Sequence, residues 1–337
     1  MEDNTVNSSK QSRIVMSSRV RLARNIDGIP FPVRLNANER MAVNKKIMSV
    51  LDRAGLDYEP VVMSELYPYE SISLAEQFLI SPEFASYADG RVLLLAENRN
   101  ISIMLNEDDH VRLRSFADGL APEKAYANAL KYDMALDSGL HFAFDEQLGF
   151  LNQNPRDLGT GMRASVMLHL PALSKTGKLN SLASMLSKLG ISIRGAYGDS
   201  ASVRGDIFSI SNSLSLGISE EDAINNLRSV SMQIETKERA AAEEFIRDIA
   251  VRDRINRALG LLSNAVLLTA DEMTEMLSWV RLGSVYGLND VSADVIDSLF
   301  ITMQPATVNV LAGRKLSDTE RSELRAGYVR EKLFPED

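Results

Sequence analysis

"NPRDLGTGMRASVMLHLP", residues 154–171, carries the glycine signature on which the fold turns. Its centre, "GTGMRA" at 159–164, matches GxGxxA, a relative of the dinucleotide-binding fingerprint. That fingerprint has to follow a strand and open a helix. Here it follows the loop-like "NQNPRDL" and runs into "SVMLHLP", whose apolar positions alternate with a period near two. No GxxxxGK[ST] occurs anywhere in the chain. A glycine loop that opens a strand excludes both the Rossmann reading and the P-loop reading.

Outward from this loop, the pattern predicts short strands at 91–97, 100–106, 110–116, 140–145, 165–171, 191–195 and 206–211. Helices are predicted over 36–55, 71–80, 122–139 and 179–190, with Gly55 and Gly139 as stops. Strands this close in sequence, with few helices between them, predict an α+β domain: an antiparallel β-sheet flanked by helices. After Gly217 the chain changes character. Residues 219–264 are periodic and proline-free, which predicts one or two long helices, and "TADE" (269–272) and "SDTE" (317–320) fit capping boxes that open two more. The expected organisation is a polar, disordered lead over 1–13, a catalytic domain over 14–250 and an all-helical C-terminal domain over 251–337.

Composition narrows the function classes. The 337 residues are 45% hydrophobic and 25% charged, which is ordinary for a globular protein, and the formal net charge of −9 offers no global attraction to nucleic acid or anionic membrane. There are no cysteines, so disulfides, thiolate metal sites and cysteine nucleophiles are excluded. Three scattered histidines without an HExxH pattern make a histidine-based zinc site a poor reading. No apolar run approaches the ~18–20 residues of a membrane span, and the N-terminus lacks a secretory signal's apolar core. The expectation is a cytoplasmic protein with no resident metal and no membrane or nucleic-acid partner.

Two sets of charged residues stand out. "SSRVRLAR" (17–24) puts Arg19 and Arg21 two apart, on one side if the segment is extended, Arg112 lies in "LNEDDHVRLR" (105–114), Arg163 follows the glycine loop, and Arg194 ends "ISIRG". Singly, each would be structural or a solvated surface residue. Together, at strand ends and beside glycines, they suit a polyphosphate held by guanidinium forks without a P-loop. The three consecutive acids of "NEDDH" sit directly beside one of these arginines. A solvated edge strand with local ion pairs explains that run taken alone; a site that holds an anion and works on a cation explains it together with the others.

"IVMSSRVRLARN" (14–25), "NEDDHVR" (106–112), "NPRDLGTGMRASVMLHLP" (154–171) and "IRGAYGD" (193–199) resemble, in order and in register, the ATP:guanidino phosphotransferase family. The helical tail, and a start without a helical N-terminal domain, point to its bacterial protein-arginine kinase (McsB-like) branch. The resemblance implies transfer of the ATP γ-phosphoryl group to arginine guanidinium groups of proteins, with Mg²⁺ arriving on ATP, a homodimer, and an activator protein as a further partner. Carried over residue by residue, it implies a phosphate cage of Arg19, Arg21, Arg112, Arg163 and Arg194. It also implies nucleotide contacts from Ser17, Ser18, Val20, Ala164, Ser165, Val166, Met167, Gly195, Ala196, Tyr197 and Gly198. Asp108 is implied as general base, Asp199 as a clamp on the guanidinium, and Asn154 as an orienting group.

The pattern also departs from the family. Asp108 and Asp199 stand where the family has glutamate, Asn154 replaces a cysteine, and Glu83 stands where a nucleotide-contacting histidine is common. A misplacement of about 1 Å can cost ~10²-fold in rate, and Asn154 cannot be a thiolate. In the tail, "RSELRA" (321–326) has Ser322 where the phosphoarginine-sensing motif has aspartate. Two readings follow: a kinase with retuned geometry, or a pseudokinase that works as an ATP-binding adaptor.

Overall fold

Strong β-formers in alternation build one large antiparallel sheet. The computed structural model describes residues 14–197 and 203–335, so the N-terminal lead, Gly198 and Asp199 lie outside the described residues. The strands are β1 (Val15–Arg24), β2 (Glu59–Val62), β3 (Val92–Ala96), β4 (Ile101–Leu105), β5 (Val111–Asp118), β8 (Met162–His169), β9 (Ile191–Gly195) and β10 (Ile207–Asn212). They run in the order β2-β3-β4-β5-β1-β8-β10-β9, with every pairing antiparallel. Between β5 and β8, a two-residue hairpin of β6 (Phe144–Asp145) and β7 (Gly149–Phe150) stands apart. The strand expected over 140–145 therefore shrinks to its last two residues, because His141 takes a positive φ of 55° and breaks the extended run.

The two faces of the sheet differ in kind. On one, Val20, Leu22, Ile103, Leu113, Ala164, Val166 and Ile210 are buried in the main core. Against it pack α1 (Ala37–Arg53), α4 (Pro122–Leu140) and α7 (Glu220–Phe245). Helix α1 starts at a capping box of Asn36 and Glu39, as its sequence suggests. The opposite face is apolar only at its outer end. There Met63, Leu74, Phe84, Leu93, Leu95 and Met104 form a smaller cluster under α2 (Pro68–Glu76) and α3 (Pro82–Ala85). Across the central strands this face is left to arginines.

Two short helices, α5 (Pro171–Lys175) and α6 (Leu179–Lys188), follow β8. The periodic stretch after Gly217 resolves into α7 and α8 (Ile249–Asn264), with Asp248 capping the second. Then come α9 (Ala270–Val285), α10 (Ala293–Thr302), α11 (Pro305–Leu311) and α12 (Asp318–Leu333). Thr269 caps α9 and Ser317 caps α12, the latter with a complete capping box. Arg325 is buried, giving its guanidinium to the carbonyls of Met303 and Leu268 at 2.8 and 2.9 Å.

Glu76 of α2 fastens the helical module to the sheet. Its carboxylate accepts from the Ala306 and Thr307 amides, at 2.9 and 2.8 Å, and from the Thr307 hydroxyl at 2.8 Å. It thereby caps α11 with a negative charge at the helix's positive end. Glu76→Ala is expected to cost about 2 kcal/mol in urea unfolding. Unchanged stability would show that the clamp is incidental.

Candidate active site

Directly opposed residues of an antiparallel pair point to the same face. In β1, Arg21 stands opposite Arg114 of β5 on one side and Arg163 of β8 on the other. Arg19 lies two residues along, and Arg112 opposes Ala23, so Arg19, Arg21, Arg112, Arg114 and Arg163 all face the same way. Each like-charge neighbour is unfavourable unless something negative intervenes. Burial first, then the charges of Arg19, Arg114, Arg163 and Arg112, push the Arg21 pKa well below its ordinary value. Burial and Arg163 lower Arg19 to about 10, and burial chiefly lowers Arg114 to about 9. Arg114 was not among the expected site residues, although its i+2 spacing from Arg112 was a readable signal.

The acids follow from a turn rather than a strand. Residues 106–110 connect β4 to β5, with Asn106 at φ 60°. The three acids then take three different jobs. Asp109 is buried and accepts from Asn25 Nδ2 at 2.7 Å and the Gln153 amide at 2.9 Å, tying the turn to β1 and to the Asn154 loop. Burial is the main cause of its raised pKa. Glu107 is buried, accepts from the Ser81 hydroxyl and pairs with Arg112 at 2.9 Å. Only Asp108 is half exposed, 3.2 Å from Arg112. Burial would lower the Arg112 pKa, but Glu107, Asp109, Asp157 and Asp108 together outweigh it and raise the value. Next to them, His110 takes the Ile26 amide on Nδ1 (3.1 Å) and donates from Nε2 to the Pro30 carbonyl (2.9 Å). Burial lowers its pKa to about 4, so this histidine is neutral and structural.

The glycine loop is shaped by close backbone approach. Gly159 has a φ of +91°, and a Cβ there would collide with the Ser215 carbonyl. Gly161 has a φ of +60°, and a Cβ would come within 2.7 Å of the Ala23 carbonyl. The loop sets Asn154 and Asp157 beside Arg112 and Arg163, all four lining a small cavity of about 90 Å³. The Asn154 side chain accepts from the Arg156 amide.

On the other side of Arg21 opens a cleft of about 950 Å³, near the upper end of small-ligand pockets. Its walls include Arg19, Arg21, Arg114, Glu83, Phe78, Ala196 and Tyr197, and also Gln304 and Pro305 at the start of α11. Arg21 lines both cavities. Tyr197 lies against Phe78 (5.5 Å between centroids) and donates to the Phe300 carbonyl of α10 at 3.2 Å. Downstream of the undescribed segment, Asp206 accepts from Ser278 of α9 (2.8 Å), and Ser278 accepts from His169 Nε2 (2.9 Å).

Placement sorts the other expected residues. Ser17, Ser165 and Met167 share the arginine face by register, and Arg19 Nε donates to Ser165 at 3.4 Å. Ser18, Val20, Ala164 and Val166 alternate to the far side and are buried in the core, so their side chains do not reach the cleft. Arg194, with Gly195 beside it, stands on the outermost strand opposite Ser209; its side chain is exposed and lines neither cavity.

The chain matches the family model for the ATP:guanido phosphotransferase C-terminal catalytic domain over residues 42–241, and that for the protein-arginine kinase McsB C-terminal domain over 248–337. It belongs to the ATP:guanido phosphotransferase family. A protein-arginine kinase of Halothermothrix orenii is 40% identical over 324 residues, covering 95% of this chain and 93% of that protein. One of Clostridium tetani is 38% identical, covering 96% of both. Lombricine kinase superposes with a TM-score of 0.60 at 25% identity, over 68% of this chain and 67% of that one. The duplicated taurocyamine kinase of Schistosoma mansoni also gives 0.60, at 27% identity, over 67% of this chain and 33% of that one. These neighbours share the antiparallel sheet flanked by helices, and Arg112, Arg114 and Arg163 of the arginine face lie within the residues matched to the catalytic-domain model.

Proposed function

We propose that this phosphotransferase moves the γ-phosphoryl group of ATP to arginine side chains of proteins. One observation supports this above the others: the charged side chains change sign across Arg112, arginines on one side and acids on the other. On one side, Arg19, Arg21 and Arg114 stand together on one face, their pKa values lowered first by burial and then by neighbouring arginine charges, which suits a polyanion. On the other, Glu107, Asp108, Asp109 and Asp157 supply more negative charge than one arginine needs, which suits a second guanidinium.

The chemistry follows from that division. A guanidinium, with a pKa above ~12, is a poor nucleophile until a proton leaves. Asp108, the exposed acid of the turn, accepts that proton as a guanidino nitrogen attacks the γ-phosphorus in line. The new P–N bond forms as the bond to the β,γ-bridging oxygen breaks, and ADP leaves. Arg19, Arg21, Arg112, Arg114 and Arg163 neutralise the phosphoryl oxygens. Asn154 orients the guanidinium; the family resemblance assigns Asp199 to the clamp and Arg194 to the cage, although the Arg194 side chain is exposed and lines neither cavity. Among the described residues no group of His, Cys, Asp or Glu could hold a metal ion. Mg²⁺ enters as part of the substrate Mg-ATP, held by phosphates and water. Glu83 lines the cleft where it can accept from an amino or hydroxyl group of the nucleotide.

The protein is proposed to act in the cytoplasm as a homodimer answering to an activator protein; among the described residues no helix is long and apolar enough to cross a membrane. Nothing in the geometry favours the non-catalytic adaptor. The test is incubation with Mg-ATP and an unfolded arginine-rich protein, beside the same protein with every arginine changed to lysine. Acid-labile phosphate on the first alone is expected. Its absence, or its appearance on both, would overturn the assignment.

A further inference from the structure

We infer that Asp157 is a substrate-binding carboxylate: it supplies the negative charge that a guanidinium needs and that Asn154 cannot give. The inference rests on the arginine-phosphorylating reading of the site. Asp157 lines the small cavity together with Asn154, Arg112 and Arg163, and its side chain is largely buried (12% exposed). Its backbone is fixed: the Asp157 amide donates to the Asn154 carbonyl at 2.9 Å, and Asn152 Nδ2 donates to the Asp157 carbonyl at 2.8 Å. The carboxylate itself is held loosely, 3.5 Å from Arg112 Nη2 and 3.9 Å from Arg163 Nη2. Asp109, by contrast, is fixed through Oδ1 by Asn25 and the Gln153 amide, and although its Oδ2 has no partner it does not line the cavity.

Arg112 shows what this set of acids does. Its Nη1 lies 2.9 Å from Glu107 and 3.2 Å from Asp108, and its Nη2 lies 3.5 Å from Asp157. Acids on both edges thus already hold one planar guanidinium, with the protein's own arginine as occupant. A triphosphate arriving along the arginine face competes for Arg112 and Arg163. As they turn to its oxygens, Asp157 loses both of its pairs. A buried carboxylate without a cation is costly, and the incoming arginine relieves that cost. Nucleotide therefore tightens the site for the guanidinium, and Asp157 carries that coupling. Asp108 takes the proton and Asp157 holds the charge.

The experiment compares the parent, Asp157→Asn, and Asp157→Asn combined with Asn154→Asp. An arginine peptide is titrated into each with and without Mg-ADP by calorimetry, and KM and kcat are measured with Mg-ATP. Losing one charged contact is expected to raise the peptide KM and the Mg-ADP-form Kd ~10–100-fold in Asp157→Asn. Mg-ATP affinity should hold or tighten, which also reports an intact fold. The double variant should recover peptide binding, because it returns the charge to the same cavity. Unchanged peptide binding in Asp157→Asn would overturn the inference. So would a parallel loss of Mg-ATP binding, which would make Asp157 a prop for the arginines. A parent that binds peptide through Asp157 but transfers no phosphate would overturn the kinase reading and leave this one standing.

Discussion

Arg21→Met is expected to make the nucleotide-free protein more stable and to weaken its binding of Mg-ATP severely. Arg21 is the centre of the row, flanked across the strands by Arg114 and Arg163 and preceded along β1 by Arg19. Its Nε is buried without a hydrogen-bond partner, and its pKa is depressed by burial and by four like charges. Removing a half-buried charge whose neighbours repel it, and covering the site with an unbranched apolar chain, should add about 1 kcal/mol. Large-to-small changes in a core have the opposite sign, so the direction is diagnostic. With phosphate present the balance reverses. A desolvated guanidinium–phosphate pair is strong, and truncating one partner of such a pair should weaken Mg-ATP by ~10²–10³-fold. Urea unfolding without nucleotide and calorimetry with Mg-ATP check the two halves. A destabilised variant that still binds nucleotide normally would mean that the row is not a phosphate cage.

Asp108→Asn is expected to lower kcat ~10³-fold while leaving Mg-ATP affinity within a fewfold of the parent. The amide keeps the shape and can still hydrogen-bond, but it cannot accept the guanidinium proton. Arg112 retains Glu107 at 2.9 Å, so the cage should not collapse. Activity within tenfold of the parent would put the base elsewhere. Glu107 would then be the next candidate, although its carboxylate is committed to Ser81 and Arg112.

The sheet was legible because its strands alternate, and alternation also told which arginines travel together. Arg19 and Arg21 were paired on that basis, and the same period would have added Arg114 to Arg112. What alternation cannot read is a turn. Glu107, Asp108 and Asp109 are consecutive, and which one faces substrate depends on the bend at Asn106 and on bonds from Asn25 and Gln153, distant in the chain. The glycine loop was rightly kept out of the dinucleotide class, but its purpose, clearance for Ser215 and Ala23, is a tertiary fact. The edge strand β2 went unseen because it is four residues long and contains Pro60, which weakens any strand signal. Asp157 lies in an aperiodic loop, where nothing in the spacing separates a working acid from a solvated one.

The large cleft takes one wall from Gln304 and Pro305, and both flanks of the segment around Asp199 are bonded to α9 and α10. On the proposed reading, the walls of the nucleotide cleft thus come from two parts of the chain, residues 19–204 and residues 304–305. Thermodynamic reciprocity then applies: whatever binds the helical module and shifts α10 changes nucleotide affinity by some factor, and nucleotide changes the affinity of that binder by the same factor. If ATP fills this cleft as proposed, it also sets, by the same act, how strongly the module holds whatever binds there.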